Sequence, residues 1–286
     1  MCSRSIQVLE AKIVTQMREE KFNVFRALHQ RPCVFVIPNP WDAGSAKILT
    51  ALGFEALATT SAGCAFSKGH LDSAPEMTRD VILQNAKEIA DATPLPVSAD
   101  LQNGFGHEPK ICAETIRLAA AAGLAGGSIE DSTGDPQNPI YDLQLANERV
   151  AAAAEAAHAS GFLLTARAEN FLHGRPDLDD TIRRLQSFAK AGADVLFAPG
   201  LTSLDAIRTL CGSVSKPVNV VMGLVGVTFS VEELAAVGVK RISVGGSFAR
   251  AALGALVRAA REVKEKGTFA YAAEALPSAE VKRLLG

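Results

Sequence analysis

From Cys33 onward the chain alternates between two hydrophobic patterns. Short continuous apolar runs occupy residues 33–37, 56–60, 97–100, 126–130, 163–167, 195–198, 218–222 and 241–244. Between them lie longer stretches whose apolar positions recur three and four apart, the spacing of an amphipathic helix. Continuous apolar runs suit parallel strands buried on both faces. Several of the expected helices stop at a small residue and a glycine, in Leu52-Gly53, Ala122-Gly123, Ser160-Gly161, Ala191-Gly192 and Val237-Gly238. A glycine there supplies the left-handed C-cap, and a strand starts within a residue or two. The runs at 97–100 and 218–222 start after Pro96 and Pro217, where a helix cannot continue. Eight such units are the count of an α/β (β/α)8 TIM barrel. An open doubly wound sheet would carry a dinucleotide fingerprint after its first strand, and Pro38-Asn39-Pro40-Trp41-Asp42 is not one.

Ahead of the barrel, Ile6, Leu9, Ile13, Met17, Phe25 and Leu28 predict one or two amphipathic helices. Residues 1–30 are therefore expected to form an N-terminal helical extension. Residues 31–286 are expected to form a single TIM-barrel catalytic domain with extra C-terminal helices. No linker or low-complexity segment divides them.

Composition removes several classes of function. The 286 residues carry a formal net charge of −2, which gives no reason to expect nucleic acid or an anionic membrane as partner. No basic-then-apolar leader opens the chain, and charges interrupt every apolar segment, so neither a signal peptide nor a membrane span is expected. Cys2, Cys33, Cys64, Cys112 and Cys211 are dispersed without a CxxC pair, which reads as reduced thiols in a cytoplasmic protein without a structural zinc site.

In a barrel, chemistry sits at the C-terminal ends of the strands. Those ends are expected to carry Asn39 to Asp42, Thr60 to Gly63, Asp100 to Gln102, Glu130-Asp131, Arg167 to Asn170, Pro199-Gly200, Asn219 and Gly245-Gly246. Asp100 with Glu130 is a sensible oxygen site for Mg²⁺, which takes one or two carboxylates and keeps several waters. The plainer reading of Asp100 is a cap on the following turn. Arg167 offers a planar fork for a carboxylate or phosphate, or a structural ion pair with Glu130 or Glu169; both can hold together. A Schiff-base aldolase needs an inward-facing lysine, whereas Lys216 and Lys240 stand at the entrance of their strands. Gly245-Gly246-Ser247 suits either a phosphate on backbone amides or close packing of strand and helix.

Five segments in order carry a resemblance: Asn39 to Lys47, Thr59 to Gly63, Ser98 to Gly106, Gly127 to Asp131 and Thr165 to Phe171. Over residues 31–262 the sequence resembles the isocitrate lyase/phosphoenolpyruvate mutase superfamily. The resemblance implies a TIM barrel with a helix exchanged between subunits, a homotetramer, and Mg²⁺ (or Mn²⁺) with an enolate-type intermediate from an α-oxo or α-hydroxy acid. It implies that Asp100 is the direct metal ligand and that Glu130 reaches the metal through water. Gln102 stands beside them where the family has a second acid of a DxD pair. It further implies that Ser61 and Ala62 offer amides to the substrate carboxylate beside Thr60, and that Arg167 binds the carboxylate or oxyanion. Asp72 matches an acid on the loop after the second strand, and Trp41 matches a pocket-lining aromatic. Asp72, Glu130 and Arg167 thus form the catalytic set. Asn219, at an expected strand end, completes the substrate-binding set of Trp41, Thr60, Ser61, Ala62 and Arg167.

Two departures bear on the reaction. Gln102 removes a negative charge from the metal's surroundings. The loop from Ser132 to Tyr141 has neither the Lys-Lys-Cys-Gly-His segment of the isocitrate and methylisocitrate lyases nor the lysine of the phosphonate enzymes. The expectation is a Mg²⁺-dependent carbon–carbon lyase or decarboxylase acting on small oxo acids such as oxaloacetate, poor with isocitrate. The alternatives are phosphonopyruvate hydrolase or mutase chemistry, and an inactive barrel that binds an oxo acid.

Overall fold

The computed structural model describes residues 2–224 and 226–286, with side chains from residue 15 onward. Eight parallel strands follow one another around a single sheet: β1 (Phe35–Ile37), β2 (Leu57–Ala58), β3 (Val97–Asp100), β4 (Gly126–Glu130), β5 (Leu163–Arg167), β6 (Val195–Phe197), β7 (Val218–Val221) and β8 (Arg241–Ser243). Each pairs with its sequence neighbour from β2 to β8, and β1 pairs with β8. The remaining seam, between β1 and β2, is joined by Ala58 N–H donating to Pro38 C=O at 3.0 Å. The expected TIM barrel is present.

The helices are α1 (Cys2–Gln30), α2 (Ala43–Ala51), α3 (Ser61–Ser67), α4 (Arg79–Asp91), α5 (Pro109–Ala121), α6 (Leu143–Ala159), α7 (Leu178–Lys190), α8 (Leu204–Ser213), α9 (Val231–Ala236), α10 (Ser247–Lys266) and α11 (Ser278–Leu285). The glycines at 53, 123, 161, 192 and 238 all have positive φ, between 61° and 110°, as the helix-to-strand punctuation requires. Asp42, Thr60, Thr78, Asp142, Asp177, Ser203 and Ser230 accept a first-turn amide hydrogen, so each of these helices starts at a side-chain cap. Strand β2 is shorter than its apolar run, because Thr60 already serves as the cap of α3.

Helix α1 is continuous, and its last turns close the N-terminal end of the barrel. Phe25 and Leu28 pack with Phe35, Ile37, Ala56, Ala125 and Leu163 in a core cluster of their own. Gly126 is required there, since a Cβ would stand 2.8 Å from both the Phe25 ring and Leu163 C=O. The larger core lies between barrel and helices, where Leu57, Ile89, Ile116, Leu164, Phe188 and Leu196 are fully buried. Helix α10 is long but little covered: of its 20 residues only Ala249 is buried, while Phe248, Leu253, Leu256, Val257 and Val263 are exposed. No helix among the described residues is long and apolar enough to cross a membrane.

Candidate active site

A cavity of about 780 Å³ opens at the C-terminal ends of the strands and descends into the barrel. Strands β3, β4 and β5 deliver Asp100, Glu130 and Arg167 as their last residues, so the three side chains meet at one level. Arg167 Nη1 lies 3.2 Å from Asp100 Oδ1 and 3.2 Å from Glu130 Oε2, and its Nε donates to Glu169 Oε1 at 2.9 Å. The ion-pair reading of Arg167 holds, and the same residue lines the cavity.

The surrounding groups complete a network of oxygen donors. Ser61 Oγ donates to Asp100 Oδ2 at 2.9 Å and stands 3.1 Å from Asp72 Oδ2. The Ser61 amide also points at Asp100, at 3.2 Å, so in this arrangement it is not the free donor that the sequence suggested. Ala62 lines the cavity, and Thr60 accepts from Gly63 N–H. Gln102 Nε2 reaches Asp72 Oδ1 at 3.3 Å, leaving its amide oxygen as the candidate donor to a cation. Gln102 is held at φ +48°, an uncommon conformation for a side-chain-bearing residue, and its C=O accepts from Glu130 N–H. The backbone of the Asp100–Gln102 turn thus fixes the height of Glu130.

Charge in this layer is unbalanced. Asp72, Asp100 and Glu130 line the cavity with Glu169 behind them, and Arg167 is the cation they share. Burial, reinforced by Glu169, Asp100 and Asp72, pushes the Glu130 carboxyl upward against the pull of Arg167. Burial and Asp100 raise Asp72 as well. The three carboxylates around Arg167 outweigh the cost of its burial and hold it firmly protonated. Surplus carboxylate with hydroxyl and amide oxygens is the donor set of a hard divalent cation. Among the described residues no group of three or more His, Cys, Asp or Glu is placed to hold a metal ion. Mg²⁺ does not need one, because it keeps several waters and binds through one or two carboxylates. The oxygen donors of Asp100 and Glu130 are of the kind such a cation takes.

Two positions depart from their expected placement, Trp41 by lying outside the cavity and Asn219 by lining it at a deeper level. Trp41 is outside the cavity lining. Its N–H donates to Ser45 Oγ, its C=O accepts from Asn85, and its Cβ packs beside Gly63. Asn219 is not at a strand end. It is the second residue of β7, deep in the barrel, where its amide accepts from Arg241 Nε at 2.8 Å and donates to Ser243 Oγ at 3.0 Å.

The loop after β4 is a small hairpin, with Ser132 bridging Ile140 and Tyr141 N–H donating to Asp131 C=O. Its polar groups are committed to structure. Asp131 is buried, bonded to Arg184 and to Glu169 N–H, and burial raises its carboxyl to about 6. Tyr141 Oη pairs with His107 Nδ1 at 2.7 Å, and Asp142 caps α6. Asp135 accepts from Gln137 N–H and from Asn138. Only Ser132 and Gly134 of this hairpin reach the cavity. Leu71, Asp72 and Ser73, from the loop after α3, also line the cavity.

The family model described as phosphoenolpyruvate phosphomutase matches residues 25–264. A Burkholderia cenocepacia structure named only as a lyase/mutase is 56% identical, covers 94% of this chain and 96% of its own, and superposes with a TM-score of 0.91. An uncharacterized Mycobacterium tuberculosis protein is 32% identical over 84% of this chain and 89% of its own. The 2-methylisocitrate lyase of Escherichia coli is 28% identical over 73% of each.

Proposed function

Because this chain belongs to the isocitrate lyase/phosphoenolpyruvate mutase superfamily, a family of lyases and mutases, we propose that it is a Mg²⁺-dependent lyase. Its substrate is a small α-oxo or α-hydroxy carboxylic acid, which it cleaves or decarboxylates at the carbon beside the oxo group. The observation that carries this reading is the placement of Asp100, Glu130 and Arg167 at the ends of three adjacent strands, with Arg167 within 3.2 Å of both acids.

Asp100 and Glu130 would hold the cation, with Gln102 and Asp72 beside them. When bound, Mg²⁺ supplies Lewis-acid polarisation of the substrate's oxo and carboxylate oxygens. Arg167, held protonated by its carboxylates, presents a guanidinium where negative charge develops on the substrate oxygen. Ser61 Oγ, between Asp72 and Asp100, keeps both acids oriented. Asp72 lines the cavity with a raised carboxyl, which makes its Oδ atoms the site's candidate for holding and releasing a proton.

The hairpin after β4 supports cleavage of simple acids. It offers the cavity a hydroxyl and a glycine, with no thiol, lysine or free carboxyl to protonate a substituted carbon. A positioned acid contributes about 10²- to 10⁴-fold, so isocitrate-type substrates should be slow. The phosphomutase description of the matching family favours phosphorus–carbon chemistry as a second reading. Phosphate release from phosphonopyruvate separates that reading from the first, and tight oxalate binding without turnover of any oxo acid marks an inactive barrel. A panel of α-oxo and α-hydroxy diacids, followed for pyruvate or glyoxylate release with and without Mg²⁺, tests the proposal.

Helix α10 carries the proposal of a homo-oligomer, a tetramer by analogy with the family. Its exposed apolar residues suit packing on a neighbouring barrel in a closed symmetric assembly.

A further inference from the structure

One interior layer below Arg167, the barrel is polar where such barrels are usually filled with Val, Ile and Leu. Thr165, Asn219 and Arg241 meet there, and Arg241 and Asn219 line the floor of the same cavity. Arg241 opens β8 and is 5% exposed. Its Nε donates to Asn219 Oδ1 at 2.8 Å, its Nη2 to Thr165 Oγ1 at 3.0 Å, and its Nη1 stands 3.3 Å from His29 Nε2. All three partners are neutral. No ion pair joins Arg241 to a carboxylate among the described residues, and burial draws its guanidinium down to about 9.

The other buried arginines show what a purely structural role looks like here. Arg149 is spent on the carbonyls of Asn103, Gly106 and His107, stacks over the Tyr141 ring and stays outside the cavity. Arg184 is matched to Asp131 and Asp180. Arg241 has neither a set of carbonyls nor a counter-charge, and an isolated buried charge is costly unless something pairs with it. A guanidinium has five N–H donors, so three contacts leave some for a ligand.

We propose that Arg241, oriented by Asn219 and Thr165, forms a carboxylate-binding subsite on the cavity floor that takes the far carboxylate of a diacid whose reacting end lies at Arg167. Thr165 and Arg167 are two residues apart on β5, so the strand positions that mark the two levels are about 7 Å apart. An extended four- or five-carbon diacid bridges that distance, whereas oxalate does not. A guanidinium on the far carboxylate also holds its charge in place, which favours breaking an internal carbon–carbon bond over losing that group as CO₂. The subsite rests on the lyase reading of the upper layer, and the experiment separates the two.

Equilibrium binding of oxalate, succinate and butyrate is measured in the presence of Mg²⁺ for the wild-type protein, Arg241→Gln and Arg241→Lys. The expected result is that wild type binds succinate at least about tenfold more tightly than butyrate, a charge-assisted hydrogen bond being at stake. Arg241→Gln should lose that preference while its oxalate affinity stays within about twofold, because oxalate uses only the upper layer; Arg241→Lys should fall between. If Arg241→Gln does not fold, the lysine variant and the wild-type succinate-to-butyrate ratio still decide. Equal affinity for succinate and butyrate in wild type, or a preference that survives in the variants, would overturn the subsite. Failure of oxalate to bind wild type would instead count against the upper-layer reading.

Discussion

Arg167 and Asp100, on strands separated by β4, meet at 3.2 Å, and the same Arg167 nitrogen stands equally far from Glu130. One guanidinium therefore fixes the two acids assigned to the cation, and it offsets the negative charge of the acids at that level. Arg167→Ala should lower turnover by about 10²- to 10³-fold, the usual loss for one donor to developing charge. Arg167→Lys should recover little, because an ammonium cannot span the acids with a fork. A lysine variant with near wild-type kcat would contradict this role.

Asp100 is the acid whose loss should hurt cation binding most. Asp100→Ala is expected to weaken Mg²⁺ or Mn²⁺ affinity by at least about 100-fold, beyond the usual cost of an outer-shell change. Gln102→Asp restores an acid to the same turn and should be tolerated or tighten the metal. Titration with Mn²⁺, followed by its spin signal, reads both without substrate. Unchanged affinity in Asp100→Ala would remove Asp100 from the metal site.

The base of the barrel should make stability depend on acid. His29 is buried between Phe25, Phe35 and Arg241, and burial with the Arg241 charge lowers its pKa to about 3 from an ordinary 6.5. Its Nδ1 pairs with Phe25 C=O and its Nε2 with Arg241, a pattern that only the neutral ring satisfies. The unfolded chain thus binds the proton more readily. The stabilisation from this residue is complete above about pH 6.5 and is lost progressively as pH falls toward 3, an effect on the order of a few kcal/mol. Denaturant unfolding between pH 7 and 4 should show a shallower decline in His29→Gln than in wild type. Parallel slopes would show that His29 is not the group titrating.

The exposed face of α10 should hold subunits together. Replacing Leu253, Leu256 and Val257 by Ser is expected to shift the protein from tetramer toward smaller species in sedimentation velocity. A wild-type protein that sediments as a stable monomer at micromolar concentration would refute the assembly.

The barrel was legible in the sequence because its strands are apolar runs punctuated by Gly or Pro, and each strand residue then had one obvious partner level. Val97–Asp100, Gly126–Glu130 and Leu163–Arg167 match their expected bounds to the residue. Asp100, Glu130 and Arg167 stood out for the same reason: a charge ending an apolar run at the catalytic end is conspicuous. Arg241 was missed because it begins its run, where a charge reads as ordinary strand entry. Its burial depends on α1 closing the far end of the barrel, a contact between residues 212 apart for His29 and Arg241. Asn219 was placed too high because β7 continues two residues beyond it. Nothing in the sequence shows that Asp131 is committed to structure; the hairpin and Arg184 show it.

The most direct measurement is product release from a panel of small α-oxo and α-hydroxy diacids, including oxaloacetate, with isocitrate, methylisocitrate and phosphonopyruvate alongside. Each is assayed with Mg²⁺, with chelator, and with Arg167→Ala. The expected result is pyruvate or glyoxylate from at least one simple diacid, well above the metal-only background, abolished by chelation and largely lost in Arg167→Ala. Faster turnover of isocitrate or methylisocitrate than of every simple diacid, or activity undiminished by chelation, would contradict a Mg²⁺-dependent lyase built on Asp100, Glu130 and Arg167.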